Sequence, residues 1–238
     1  MEQDHRTTEL QENLEALRED MAEAEKRGGR EPGSVRLVAV SKLHPAEDVA
    51  RLLGLGQRVF GESYVQEAVA KQEELAGQDV EWHFIGGLQT NKARFVGGRF
   101  ALVHSVDSSK LARLLHKHAQ DRSTVQRALI QVSLAGEIQK SGIVEDELPS
   151  LVEECMDLPG LDLVGFMTMP PFFDDPEAAR PYFRRLREVR DEMEQRFGAR
   201  FPELSMGMTG DFAAAIEEGA TLVRVGTRLL GARCKYQP

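Results

Sequence analysis

The chain has 238 residues, 41% hydrophobic and 29% charged, proportions expected of a water-soluble globular protein with a real core. Its net charge of -9 disfavours a broad electrostatic grip on nucleic acid or an anionic membrane, though it leaves room for a small anion pocket. Two distant cysteines (Cys155 and Cys234), a polar N-terminal stretch and no run of about 18 apolar residues argue against a disulfide framework, a secretory signal and a membrane span, so the expected location is the cytoplasm.

An amphipathic helix comes first. Leu10, Leu14, Leu17, Met21 and Ala24 recur at steps of three and four, and Gly28-Gly29 ends the pattern. Its single apolar stripe suits packing on the rest of the protein or on a partner. Short apolar, β-branched runs then alternate with helical segments. VRLVAVS (35–41) precedes a helix over 45–55, and RVFGE (58–62) precedes one over 64–75. WHFIG (82–86) and ALVHSVD (101–107) lead to a helix over 111–118, and ALIQVSL (128–134) leads to one over 148–156. After LVGFMTM (163–169), a helix carries Tyr182, Phe183, Leu186, Val189, Met193 and Phe197 on one side and stops at Gly198. LSMGM (204–208) and LVRVGT (222–227) complete the series. Ser108-Ser109 and Asp175-Pro176 suit helix starts, because a short polar side chain caps free amide donors there. Pro181 must fall in a first turn.

Eight strands in βαβ order, nearly continuous in apolar residues, indicate a parallel sheet buried on both faces. The expected class is α/β, a single-domain (β/α)8 TIM barrel over 1–238, with residues 1–28 as an extra N-terminal helix packed on or beside it. A doubly wound open sheet is the alternative.

In such barrels, chemistry gathers where strands end. Those positions hold Lys42, Glu62, His83, Asp107, Ser133, Thr168, Thr209 and Gly226. Lysine after a strand is ordinarily just solvated. Lys42, however, follows the apolar run LVAVS, where partial desolvation would free its amine as a nucleophile toward an aldehyde. SMGMTGDF (205–212) and RVGTRLLG (224–231) each place glycine and a hydroxyl residue at a strand end before a helical segment. That arrangement makes a phosphate cradle, unless Gly210 and Gly226 serve only as tight turns. Arg224 lies two residues before Gly226, so both face one side of a regular strand. An inward arginine needs a partner. A pyridine nitrogen would serve, and so would an internal salt bridge to Glu62 or Asp107. His83 and His104 lack further ligands at metal-site spacing and are read as pocket or core residues. No dinucleotide or P-loop string is present.

Taken together, AVSKLHP, FGESYVQE, EWHFIGGLQTNKAR, VHSVD, KSGI, SMGMTGDF and VRVGTRLLGAR resemble the YggS/PROSC family of pyridoxal-phosphate homeostasis proteins, in the family's order from about Val35 to Arg233. The resemblance implies the barrel of alanine racemase N-terminal domains, with pyridoxal 5′-phosphate (PLP) held as an internal aldimine on Lys42. It implies that Ser205, Thr209, Gly226 and Thr227 bind the phosphate and that Arg224 faces the pyridine nitrogen. Lys140 in KSGI resembles a lysine near the cofactor region. Two departures stand out: Ser63 replaces an asparagine expected near the ring, and the tail GARCKYQP carries only Lys235.

The function implied is cofactor storage, protection and delivery without turnover, by a monomer that meets PLP-dependent apoenzymes transiently. The rival is a PLP-dependent racemase or decarboxylase of the same barrel type. A racemase needs a second base, which such enzymes take from an added β-domain. The 11 residues after Thr227 leave no room for one, and Tyr64, Tyr182 and Tyr236 are not clearly placed as that base. A third reading is a sugar-phosphate enzyme using Lys42 in a transient Schiff base.

Overall fold

The computed structural model describes residues 2–134 and 142–232, with side chains from residue 5. Lys140, Arg233, Cys234, Lys235 and Tyr236 lie outside the described residues.

Helix α1 (Glu2–Arg27) buries Leu10, Leu14, Leu17, Met21 and Ala24, the stripe read from its spacing. That stripe packs on the protein itself, across α2 (Ala46–Gly54), α7 (Phe212–Glu217) and α8 (Thr227–Leu230). The strands are β1 (Arg36–Val40), β2 (Val59–Glu62), β3 (Glu81–Phe84), β4 (Leu102–Val106), β5 (Gln126–Ser133), β6 (Ile143–Val144), β7 (Leu161–Met167), β8 (Glu203–Ser205) and β9 (Leu222–Val225). All pair in parallel. The order runs β4-β3-β2-β1-β9-β8-β7-β5, and β4 also pairs with β5, so the sheet closes into a (β/α)8 barrel rather than staying open. The two-residue β6, which no sequence pattern marked, adds to the end of β5 at Val132 and Ser133.

Side chains alternate as a closed sheet requires. Val38, Val59, Leu102, Leu129, Val164 and Leu222 point into the barrel and form a small inner cluster. Outward residues such as Leu37, Phe60, Phe84 and Phe166 join the apolar faces of the helices in the larger core. Those faces belong to α3 (Val65–Glu74), α4 (Ser109–Gln120), α5 (Leu148–Met156) and α6 (Arg180–Phe197), in addition to the helices above. Gly198 ends α6 at φ 61, a left-handed stop that costs glycine little.

Local signals were met in different ways. The Asp175 carboxylate accepts from the Glu177 amide at 3.0 Å and opens a 3-10 turn, Pro176–Ala179, which delivers Pro181 to the first turn of α6. Ser108 does precede α4, but its hydroxyl donates to Asp107 at 3.2 Å instead of capping the helix. Between β3 and β4 the connection is a 3-10 turn, Thr90–Phe95. Among the described residues, no helix is long and apolar enough to cross a membrane.

Candidate functional site

The C-terminal ends of the strands open into a cleft lined by Lys42, Thr209, Arg224, Gly226 and Thr227. Five residues singled out from three separate stretches of sequence thus meet in one place. Val40, Ser63, Ile85, Met169 and Met208 complete the lining.

Lys42 lies two residues past the end of β1 and is half-buried. The next residue, Leu43, takes φ 63, a left-handed conformation costly for any residue that carries a Cβ. A buried ionic cluster holds that turn in place. The Leu43 amide donates to Glu67 Oε1 at 2.6 Å. Lys71 Nζ donates to the Ser41 carbonyl at 2.6 Å and to Glu62 Oε1 and Glu67 Oε1 at 2.7 Å each. The Ser41 hydroxyl donates to the same Glu62 oxygen at 2.7 Å. Glu62 is fully buried, and its second oxygen, Oε2, has no hydrogen-bond partner. Burial pushes its carboxyl above the ordinary range, against the opposing pull of Lys71. The backbone on both sides of Lys42 is therefore fixed, which sets where its side chain starts.

Arg224 sits on β9, 4% exposed. Its Nη1 donates to Ser205 Oγ at 2.6 Å and its Nη2 to the Thr168 carbonyl at 3.0 Å. Neither Glu62 nor Asp107 is its partner: Glu62 belongs to Lys71, and Asp107 accepts from Ser108. Burial lowers the guanidinium to about 10, partly offset by the charge of Asp211.

Gly226 must stay small. β1 and β9 pair Ala39 with Val225, so Gly226 lies beside Val40, and a Cβ there would come within 3.3 Å of the Val40 carbonyl oxygen and Cβ. This close approach sets the start of α8, whose first amides have no partner within the helix, against the strand that carries Lys42. On the neighbouring loop Gly207 adopts φ 90, and a Cβ would fall 2.6 Å from that of Ala215. Asp211 Oδ1 then accepts from the Met208 amide at 2.6 Å, closing the turn that presents Thr209.

Ser205 is placed differently from the other five. It is fully buried on β8 beneath the cleft, bonded to Arg224 and, at 2.8 Å, to His104 Nδ1. Among the described residues, no group of three or more His, Cys, Asp or Glu side chains could hold a metal ion. Glu67 and Lys71 went unread in the sequence, although their i,i+4 spacing just after Glu62 carries a usable signal.

These features define a barrel with a lysine just past the end of its first strand and, facing the same cleft, glycine- and hydroxyl-bearing loops after its last two. The family model described as alanine racemase, N-terminal domain, matches residues 12–234. A protein of Aquifex aeolicus named pyridoxal phosphate homeostasis protein is 44% identical over 94% of this chain and 98% of its own. Its Escherichia coli counterpart of the same name is 40% identical over 93% and 95%. Among solved structures, PipY of Synechococcus elongatus, determined with PLP bound, is 37% identical, covers 93% of this chain and 100% of that one, and has a TM-score of 0.83. The chain belongs to the alanine racemase N-terminal domain family, and within it to the group of pyridoxal phosphate homeostasis proteins.

Proposed function

We propose that this chain is a PLP-binding protein of intracellular cofactor homeostasis, which holds PLP on Lys42 and releases it without catalytic turnover. The carrying observation is that Lys42, Arg224 and the hydroxyl-bearing loops of Thr209 and Thr227 line one cleft, in a family where PipY was solved with PLP bound. The donor set fits the cofactor's chemistry. It offers an amine for an aldehyde, hydroxyls and unpaired helix-start amides for a phosphate, and a cation for a ring nitrogen.

Bound there, PLP would supply an aldehyde and an electron-withdrawing ring. Lys42 would contribute the amine toward that aldehyde. Thr209, Gly226 and Thr227 would hold the phosphate. Arg224, which can only donate, would favour an unprotonated ring nitrogen and so weaken the ring as an electron sink. Ser205 acts from behind, through Arg224. Among the described residues, Lys42 and Arg224 are the ionisable side chains that line the cleft, so none of the others there is a second base placed for racemisation. That observation favours the carrier over a racemase or decarboxylase. The setting we propose is cytoplasmic, as one barrel domain and one monomer, with PLP-dependent apoenzymes as transient recipients.

The test is an absorption spectrum of the purified protein with PLP, before and after borohydride, with mass mapping of the reduced adduct. A visible band and a phosphopyridoxyl group on Lys42 are expected, and Lys42→Ala should lose both. A band that survives Lys42→Ala would sink the assignment, and turnover of an amino acid would overturn the carrier.

A further inference from the structure

Below the cleft, a line of polar side chains crosses the barrel interior. Arg224 Nη1 donates to Ser205 Oγ, and Ser205 Oγ is 2.8 Å from His104 Nδ1. His104 Nε2 is 3.0 Å from His83 Nδ1, and His83 Nε2 is 2.9 Å from Glu81 Oε1. Ser205, His83 and His104 lie on β8, β3 and β4, and all three are buried. Glu81 opens β3 at the opposite end of the barrel, where Arg36 bridges it to Glu203 at 3.0 and 2.8 Å.

The two ends of this chain leave no freedom of direction. An arginine only donates and a carboxylate only accepts. Glu81 is ionised, because its bond to His83 and the charge of Arg36 hold its carboxyl down to about 2. Burial keeps both imidazoles neutral by lowering their proton affinity. A neutral imidazole donates through one nitrogen and accepts through the other. Glu81 therefore requires the proton of His83 on Nε2, which leaves Nδ1 to accept from His104 Nε2. His104 Nδ1 must then accept, and the Ser205 hydroxyl donates to it. With its own proton so committed, Ser205 Oγ presents lone pairs to Arg224, which is what the 2.6 Å bond requires. Every donor points from the cleft toward Glu81, an arrangement in which successive bonds polarise one another.

We infer that Glu81 is a positioning residue for Arg224, acting across the barrel by fixing the tautomers of His83 and His104. The charged groups facing the chain are Arg36 and Glu203 at its foot and Arg224 at its head. If an imidazole accepted a proton, it would donate from both nitrogens. A proton on His83 would turn His104 to its other tautomer and leave Ser205 accepting from both sides. The relay thus carries the state of one end of the barrel to the other. Its meaning for a ring nitrogen at Arg224 rests on the PLP reading, but the tautomers themselves do not.

The test is 15N NMR of histidine-labelled protein without PLP. Both His83 and His104 should appear as neutral Nε2–H tautomers near pH 7.5. Glu81→Leu removes the acceptor, and the Nδ1–H form of His104 should rise from undetectable to a substantial fraction. Glu81→Gln keeps an acceptor oxygen and should restore the parent spectrum. A parent protein with His104 as Nδ1–H, which needs no variant to fold, would overturn the inference. So would a His104 tautomer unchanged in Glu81→Leu. With PLP added, Glu81→Leu should shift the absorption maximum while the Lys42 adduct remains. Should PLP not bind at all, the functional reading fails and the tautomer result stands by itself.

Discussion

The cluster around Lys71 and the chain from Arg224 to Glu81 both lie buried beneath the cleft, yet one is ionic and the other neutral along its buried length. Lys71 gathers two carboxylates and a carbonyl within 2.7 Å, and its reach fixes backbone on either side of Lys42. The histidine chain fixes little backbone. What it controls is which atoms carry hydrogens. The ionic cluster buries charge and leaves one Glu62 oxygen unpaired, whereas the chain satisfies each member in turn. An aimed lysine and a tuned arginine thus call for different supports: fixed charge serves position, and directed hydrogen bonds serve protonation state.

The sharpest way to break the comparison is Lys71→Met. Removing one partner leaves Glu62 buried and uncompensated, a loss of about 3–5 kcal/mol. For a chain of this size that lowers Tm by roughly 6–20 °C. The deficit should depend on pH. The folded-state pKa of Glu62 is raised, so its contribution is greatest below its unfolded value near 4.5 and is lost as pH rises through the folded value. Thermal melts of Lys71→Met should fall further below the parent at pH 8 than at pH 5. An equal deficit at both would mean that Glu62 carries no buried charge.

Gly207→Ala probes the loop between the two supports. A left-handed φ of 90 and a 2.6 Å clash with Ala215 should cost about 1–3 kcal/mol. Because the same turn presents Thr209, PLP should also dialyse away faster, while a variant of parental Tm and retention would show that the loop absorbs the strain elsewhere.

The smallest effect concerns the neutral chain, and its sign is opposite to that of Glu62. His83 and His104 bind protons less readily folded than unfolded, so their contribution is present above about pH 6.5 and fades as pH falls toward the folded values. His104→Gln should flatten the fall of Tm between pH 7 and pH 5. An unchanged slope would show that His104 is not held neutral by burial.

Much of the fold was written in the local pattern. Apolar runs marked all eight barrel strands to within a few residues, and the stripe of α1 named the side chains that it buries. Lys42, Thr209, Arg224, Gly226 and Thr227 were each visible at a strand end. The placement of Ser205 was not, because a hydroxyl two residues from a glycine gives no sign of whether it faces the cleft or the barrel interior. Nor could the sequence join His83 to His104. Their contact depends on the register of β3 against β4, which sets His83 beside Leu102 and leaves His104 diagonally above. Register between strands is a property of the closed barrel, not of either segment. β6 was invisible because two residues carry no periodicity.

The docking of α1 has a consequence in time. Asn13 donates to the Leu229 carbonyl at 3.1 Å and Arg6 to that of Leu230 at 2.9 Å, so the first helix closes the open end of α8, the short helix that begins just after Gly226. Two of the three helices that α1 packs on, α7 and α8, lie some two hundred residues further along the chain. At roughly 5–20 residues per second on the ribosome, α1 waits on the order of ten seconds or more with part of its leucine stripe uncovered. A nascent chain therefore carries a partly exposed apolar helix well before Gly226 and Thr227 can take their places in the cleft, which is completed only once synthesis is nearly over.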